Sequence, residues 1–143
     1  MKFKNLVALL IPMLFSCSVE PQAIDYGSSQ CHFCKMTIVD SQHASEIVTA
    51  KGKSYMYDAI ECMLNDLQNR NQTEIKLYLV ADYQNPGNLI DVSEAHFLIC
   101  DAIPSPMGAY LSAFSDRNKR DELSDNNEGD NFGWHQIKAK FLN

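Results

Sequence analysis

The chain has 143 residues, with 18 acidic side chains against 12 basic ones and a net charge of −6. That balance leaves no basic stripe of the kind nucleic-acid binding requires. The length fits one domain with a real core, and no phosphate loop, Ser/His/Asp arrangement or paired carboxylates point to an enzyme.

The amino terminus carries a targeting pattern. Met1-Lys2-Phe3-Lys4 is a basic start, and Leu6 to Phe15 is an apolar run of ten residues broken by Pro12. A bilayer takes roughly 20 apolar residues, so the run is too short to span one. Leu14-Phe15-Ser16-Cys17 reads as a lipobox, in which bulky Phe15 fits loosely. The expectation is a lipoprotein signal over residues 1–16, a lipidated Cys17 with a polar tether over residues 17–26, and a single domain over residues 27–143. Plain secretion is the alternative. Loss of Lys2 and Lys4 leaves ten basic residues against 18 acidic ones, a net charge of −8. Membrane attachment therefore rests on the N-terminal lipid, with the periplasmic side of the outer membrane as the expected location.

The elements that follow are mixed α and β. Residues 45–50 and 54–57 flank Lys51-Gly52-Lys53 and predict a hairpin. Asp58 with Glu61 three residues later has capping-box spacing, and Ile60, Met63, Leu64 and Leu67 form one helical stripe. Cys62 lies off that stripe, four residues past Asp58, where it can staple against Tyr57. Residues 75–82 predict a strand, Asn85-Pro86-Gly87-Asn88 a turn, and residues 95–101 another strand. Ile103 to Gly108 is an irregular Pro-rich loop, and residues 109–114 return as a strand. Ser115-Asp116 can cap a polar helix to about Asn126, residues 125–130 read as an acidic mobile loop, and Trp134 anchors a last segment, 132–141. The order resembles two similar halves, each strand, strand, helix.

Chemistry concentrates at Cys31-His32-Phe33-Cys34-Lys35-Met36. Four thiols remain beyond Cys17: Cys31, Cys34, Cys62 and Cys100. An oxidising envelope favours two structural disulfides, among which the sequence does not choose. A Cys31–Cys34 bridge would be a small redox-type ring, but β-branched Thr37-Ile38-Val39 is a poor helix start for a thioredoxin-like motif. Zinc on all four thiolates is a further possibility, although only one pair is closely spaced. Met36 favours Cu(I), because a thioether is a soft ligand that zinc takes poorly. In extended backbone Cys34 and Met36 point to the same side. Met107, between Pro106 and Gly108, either fills the core or reaches a site. Among the histidines, His32 is exposed between the cysteines as a copper ligand or transfer contact, His43 and His135 face solvent, and His96 is partly buried.

Cys31-x-x-Cys34-x-Met36, then Tyr57-Asp58-Ala59-Ile60-Glu61-Cys62-Met63, then Pro106-Met107-Gly108 before an apolar strand together resemble the NosL family. These are copper-binding accessory lipoproteins of nitrous oxide reductase. The resemblance implies an α+β domain of two similar ββα-type units, treble-clef-like. It implies Cu(I) held mainly by Cys34 and Met36, with Met107 as third ligand, and no catalysis. Cys31 and Cys62 are auxiliary thiols on this reading. The implied partner is a copper-requiring enzyme, nitrous oxide reductase, which receives the ion by ligand exchange. The other readings are a thiol–disulfide reductant of copper-site cysteines and a structural zinc module. Family members often carry glycine where this chain has Lys35, a cation expected to lower the neighbouring thiol pKa.

Overall fold

Alternating side chains around a glycine turn make the first hairpin. β1 (Ser45–Thr49) and β2 (Ser54–Tyr57) pair antiparallel from Ser45 opposite Tyr57 to Val48 opposite Ser54, and Gly52 takes a φ of +77° in the turn. The computed structural model describes residues 18–143, so the basic start, the apolar run and the lipobox with Cys17 lie outside the described residues. α1 (Ile60–Leu67) follows the hairpin, and its expected stripe of Ile60, Met63, Leu64 and Leu67 is fully buried. Burial of such side chains contributes about 1.5–3 kcal/mol each. β3 (Ile75–Ala81) joins the free side of β1, and β4 (Leu89–Asp91) pairs with β3, completing an antiparallel sheet of order β2-β1-β3-β4.

The second half repeats the plan. β5 (His96–Ile99) and β6 (Leu111–Phe114) pair antiparallel, α2 (Arg117–Asn127) follows, and β7 (Asp130–Phe132) adds to the far side of β5, giving the order β6-β5-β7. The expected pair of ββα-type units is therefore present as β1-β2-α1 and β5-β6-α2. α3 (Trp134–Leu142) closes the domain against α1 and buries Ile137. Trp134 is the anchor expected of it, with its ring 5.7 Å from that of Tyr78 and 5.8 Å from that of Phe97, joining the two sheets. Asp82, just past β3, accepts hydrogen bonds from the Ser115 hydroxyl at 2.6 Å and the Asn85 amide at 2.6 Å, tying the halves at the other side.

Three expectations need correction, and one strand, β4, was not expected. The capping box at α1 does not form: the N-cap is Ala59, which supplies no side-chain bond, because Asp58 and Glu61 both face other partners. Of residues 125–130, expected as a loop, only Glu128 and Gly129 lie outside the elements, with 125–127 ending α2 and Asp130 starting β7. A Cβ on Gly129 would lie 2.7 Å from Leu98 Cδ1 and 3.1 Å from the Cys100 Cβ, so glycine lets that strand approach β5. β4 is a three-residue strand in a stretch with no alternation to announce it. His43 is buried, not solvent-facing, with Nδ1 2.9 Å from Asp40 and Nε2 3.1 Å from the Ser112 hydroxyl. Among the described residues no helix is long and apolar enough to cross a membrane.

Candidate metal centre

Residues 27–38 fold into a knuckle ahead of the hairpin. Gln30 bridges Thr37 antiparallel, the Gly27 amide donates to the Ile38 carbonyl at 2.8 Å, and the Cys31 amide donates to the Met36 carbonyl at 2.8 Å. Inside this ring the Lys35 amide donates to the Cys31 carbonyl at 3.1 Å. Lys35 sits at φ +67°, in the left-handed region where a Cβ is unfavourable. That conformation is the physical reason glycine suits the position. The Lys35 ammonium turns back to the His32 carbonyl. The His32 amide donates to the Met56 carbonyl at 2.8 Å, which fastens the knuckle to β2.

The hairpin then delivers Asp58 and α1 beneath the knuckle. Sγ atoms of Cys31, Cys34 and Cys62 and a carboxylate oxygen of Asp58 all lie within 4.8 Å of one another. Cys31, Asp58 and Cys62 are buried, Cys34 is half-buried at the opening, and all three thiols are free. The Cys34 thiol donates to Asp58 Oδ1 at 3.4 Å. Asp58 stands just ahead of α1, separated from it by the extended Ala59, and Cys62 lies in the first turn of the helix. In the sequence Asp58 is disguised as a cap by its position before a helix.

The pocket sets unequal thiol acidities. The Cys62 thiol donates to Cys31 and, with the backbone amides of Asp58 and Cys34, outweighs burial and lowers the Cys31 pKa to about 6. Cys62 is pushed up by the same hydrogen bond, by burial and by Asp58. Burial raises Cys34 as well, with Cys31 and Asp58 adding to it against the Met36 amide. The expected effect of Lys35 on its neighbour is thus not found: the lowered thiol is Cys31, and its partner Cys62 lowers it. Metal-bound cysteines are thiolates, so a metal cation entering the pocket displaces protons.

Two methionines stand outside the pocket. Met36, two residues past Cys34, is 59% exposed, and Met107 is 40% exposed. The Met107 loop hangs from α1. Buried Glu61, next to Cys62, accepts from the Ser105 hydroxyl, and that hydroxyl accepts from the Tyr110 amide at 2.9 Å. Gly108 at φ +77° and Tyr110 at φ +58° turn the loop sharply. Glu61 is a positioning residue that the capping-box pattern concealed.

Of the sequence-expected site residues, Cys31, Cys34 and Cys62 come together. Cys100 does not. It packs with Leu98, Ile103 and Phe114 in a second core, with its Sγ 3.8 Å from the Asn127 carbonyl. A four-thiolate zinc set and a Cys62–Cys100 disulfide are both excluded by that placement. His32 is half-buried, not exposed, with its ring edge-on to Tyr55 at 4.6 Å, and burial lowers its pKa. No helix starts at the Cys31–Cys34 pair, unlike a thioredoxin-like motif.

Three comparisons bear on this architecture. The family model for NosL matches residues 21–142. A curated relative, the copper-binding lipoprotein NosL of Stutzerimonas stutzeri, is 26% identical over 133 residues, covering 87% of this chain and 70% of the relative. The crystal structure of the copper chaperone NosL from Shewanella denitrificans superposes with a TM-score of 0.71 at 20% identity, over 82% of this chain and 95% of the other. That likeness establishes the fold. Both relatives are named as copper handlers, neither as an enzyme.

Proposed function

The chain belongs to the NosL family, and from that premise we propose that it binds Cu(I) at the mouth of the thiol pocket and hands it to a copper enzyme. The observation that carries this reading is the convergence of three free thiols with an exposed thioether two residues from the outermost one. Cys34 and Met36 are the principal ligands, Met107 on its loop is the third, and Cys31 and Cys62 are auxiliary sulfur donors. Soft sulfur ligands favour Cu(I) over hard cations. Two or three ligands leave the ion open on the solvent side, where a recipient histidine or thiolate attacks and takes it through a shared intermediate. Nitrous oxide reductase is the recipient that the family resemblance implies. A lipid on Cys17 would hold the domain at the envelope membrane.

The test is anaerobic titration of the reduced chain with Cu(I) against a chelator of known affinity. One tightly held ion, lost in Cys34→Ser and weakened in Met36→Ala, is expected. Unchanged affinity in both variants would refute the site. A second reading, a thiol–disulfide reductant, draws on the low pKa of Cys31. It requires Cys31 and Cys34 and tolerates loss of Met36, so the same variants separate the two.

A further inference from the structure

The charges of the chain are unevenly placed. Residues 82–130 carry ten acidic side chains against three basic ones. The first hairpin and its neighbours differ. Of the five carboxylates over residues 45–76, Glu46, Asp58 and Glu61 are buried and Asp66 pairs with Arg70 at 2.6 Å. That leaves Glu74 against three exposed lysines, Lys51, Lys53 and Lys76. Lys51 and Lys53 flank Gly52 in the β1–β2 turn, and Lys76 is the extra residue where the β1–β3 register shifts between Val48 and Thr49. All three stand at one end of the sheet, and the acidic net charge of the whole chain conceals them.

The amino-terminal segment comes to the same end. Glu46 accepts from the Gln22 amide at 2.8 Å and from the Ser54 hydroxyl, which holds the segment beside the hairpin. The Ser18 carbonyl then lies 3.1 Å from where a Cβ on Gly52 would stand. Cys17 is bonded to Ser18, a step of about 3.8 Å along the chain. A lipid on Cys17 therefore leaves the domain at the Lys51-Gly52-Lys53 turn.

We propose that this lysine-bearing end of the sheet is a docking surface for anionic phospholipid headgroups. The orientation it gives the domain rests on the reading of a lipid at Cys17, and the chemistry of the surface does not. A lysine at an anionic leaflet strengthens membrane binding by about fivefold. A cavity of about 290 Å³ opens between Thr49, Lys51, Lys53, Tyr55 and Glu74, where a headgroup phosphate meets the ammonium groups. The Tyr55 ring, with Lys53 Nζ 4.7 Å and Arg70 Cζ 3.9 Å from its centre, is of the amphipathic kind that settles at headgroup level. An anionic surface also repels the acidic second unit, which favours the same orientation. β2 spans about 13 Å between the turn and Asp58, so docking by the turn holds the thiol pocket clear of the headgroups and open to a partner in solution.

The experiment uses the full-length chain purified from membranes and mixed with vesicles of phosphatidylcholine alone or of phosphatidylcholine with phosphatidylglycerol. Flotation reads attachment, and acylation of lysines by a membrane-impermeant reagent, followed by peptide mass, reads the docked surface. The expected result is flotation with both vesicles and acylation of Lys51, Lys53 and Lys76 slowed about fivefold on the anionic ones alone, with Lys119 on α2 unchanged. The slowing should vanish at about 0.5 M salt, because exposed charges are screened. The double variant Lys51→Glu, Lys53→Glu, checked for an unchanged urea midpoint, should lose the slowing at Lys76, and Glu74→Lys should deepen it. Flotation with equal acylation on both vesicles overturns the docking surface and leaves the lipid anchor standing. Flotation with anionic vesicles alone sinks the lipid reading and leaves the docking surface standing. Slowing at Lys76 that survives the double variant also overturns the surface.

Discussion

The two ββα units use the same residue in the same place for opposite ends. In the second, Asp116 follows the hairpin strand β6 and caps α2, accepting the Asn118 amide at 2.8 Å. In the first, Asp58 follows the hairpin strand β2, yet α1 has no side-chain cap and the carboxylate accepts from Cys34 instead. A cap contributes about 1 kcal/mol, so the first unit forgoes a local stabilisation to place an acceptor among thiols. The cysteines diverge in the same way. Cys31, Cys34 and Cys62 meet at a pocket with an opening, whereas Cys100 is a small apolar filler beside Gly129. One scaffold thus serves chemistry in one copy and packing in the other.

Substitutions that separate chemistry from packing test this contrast most strongly. Cys34→Ser is expected to abolish tight Cu(I) binding in chelator competition, and Cys100→Ser to leave it intact. Equal sensitivity of the two would erase the distinction between the units. In the second unit the large effect is on stability. Phe114→Ala removes a fully buried ring and should lower unfolding free energy by about 3–5 kcal/mol in urea titration, with Cu(I) affinity of the folded protein unchanged. The aspartates give the direct comparison. Asp116→Ala should lower stability by about 1 kcal/mol, and Asp58→Ala should lower it less, since no cap is lost there. A larger loss at Asp58 would show that its carboxylate supports the fold after all.

The seam between the units responds to pH through Asp82. Burial alone would raise this carboxyl, but hydrogen bonds from Ser115, Asn85 and the Gln84 amide outweigh it and hold its pKa below the ordinary value. Its folded-state pKa lies below the unfolded one, so its support is complete above the unfolded value near about 4 and is lost as pH falls through the folded value. Urea midpoints measured across that acid range should fall for the native chain and fall less for Asp82→Asn. A small effect is expected at the knuckle. Lys35→Gly relieves a positive φ and should raise stability by roughly 0.5–1 kcal/mol, offset in part by the greater freedom of glycine in the unfolded chain. A decrease would mean that the Lys35 contact with the His32 carbonyl outweighs the backbone strain.

Much of the fold was legible. The hairpin around Gly52, the stripe of α1, the strand from Ile75 and the Asp116 cap all rest on patterns within a few residues, and all formed as expected. β4 and β7 were not legible, because three-residue strands exist only where a neighbouring strand is there to pair with them. His43 looked solvent-facing in a polar segment and is buried because Asp40 and Ser112 satisfy both ring nitrogens. In the site, the soft donors stood out by residue type and spacing, and Glu61 and Asp58 did not. Each has the spacing of a helix cap, and only partners brought by other segments, Ser105 and Cys34, drew them away.

The sequence by itself determined the local elements and the stock of sulfur donors, since periodicity and spacing act over short range. Tertiary structure alone decided which thiols share a pocket. Cys34 and Asp58 are 24 residues apart in the chain, and the hairpin between them sets the distance of their side chains. Cys100, no less a thiol, was excluded because the second sheet carried it into another core.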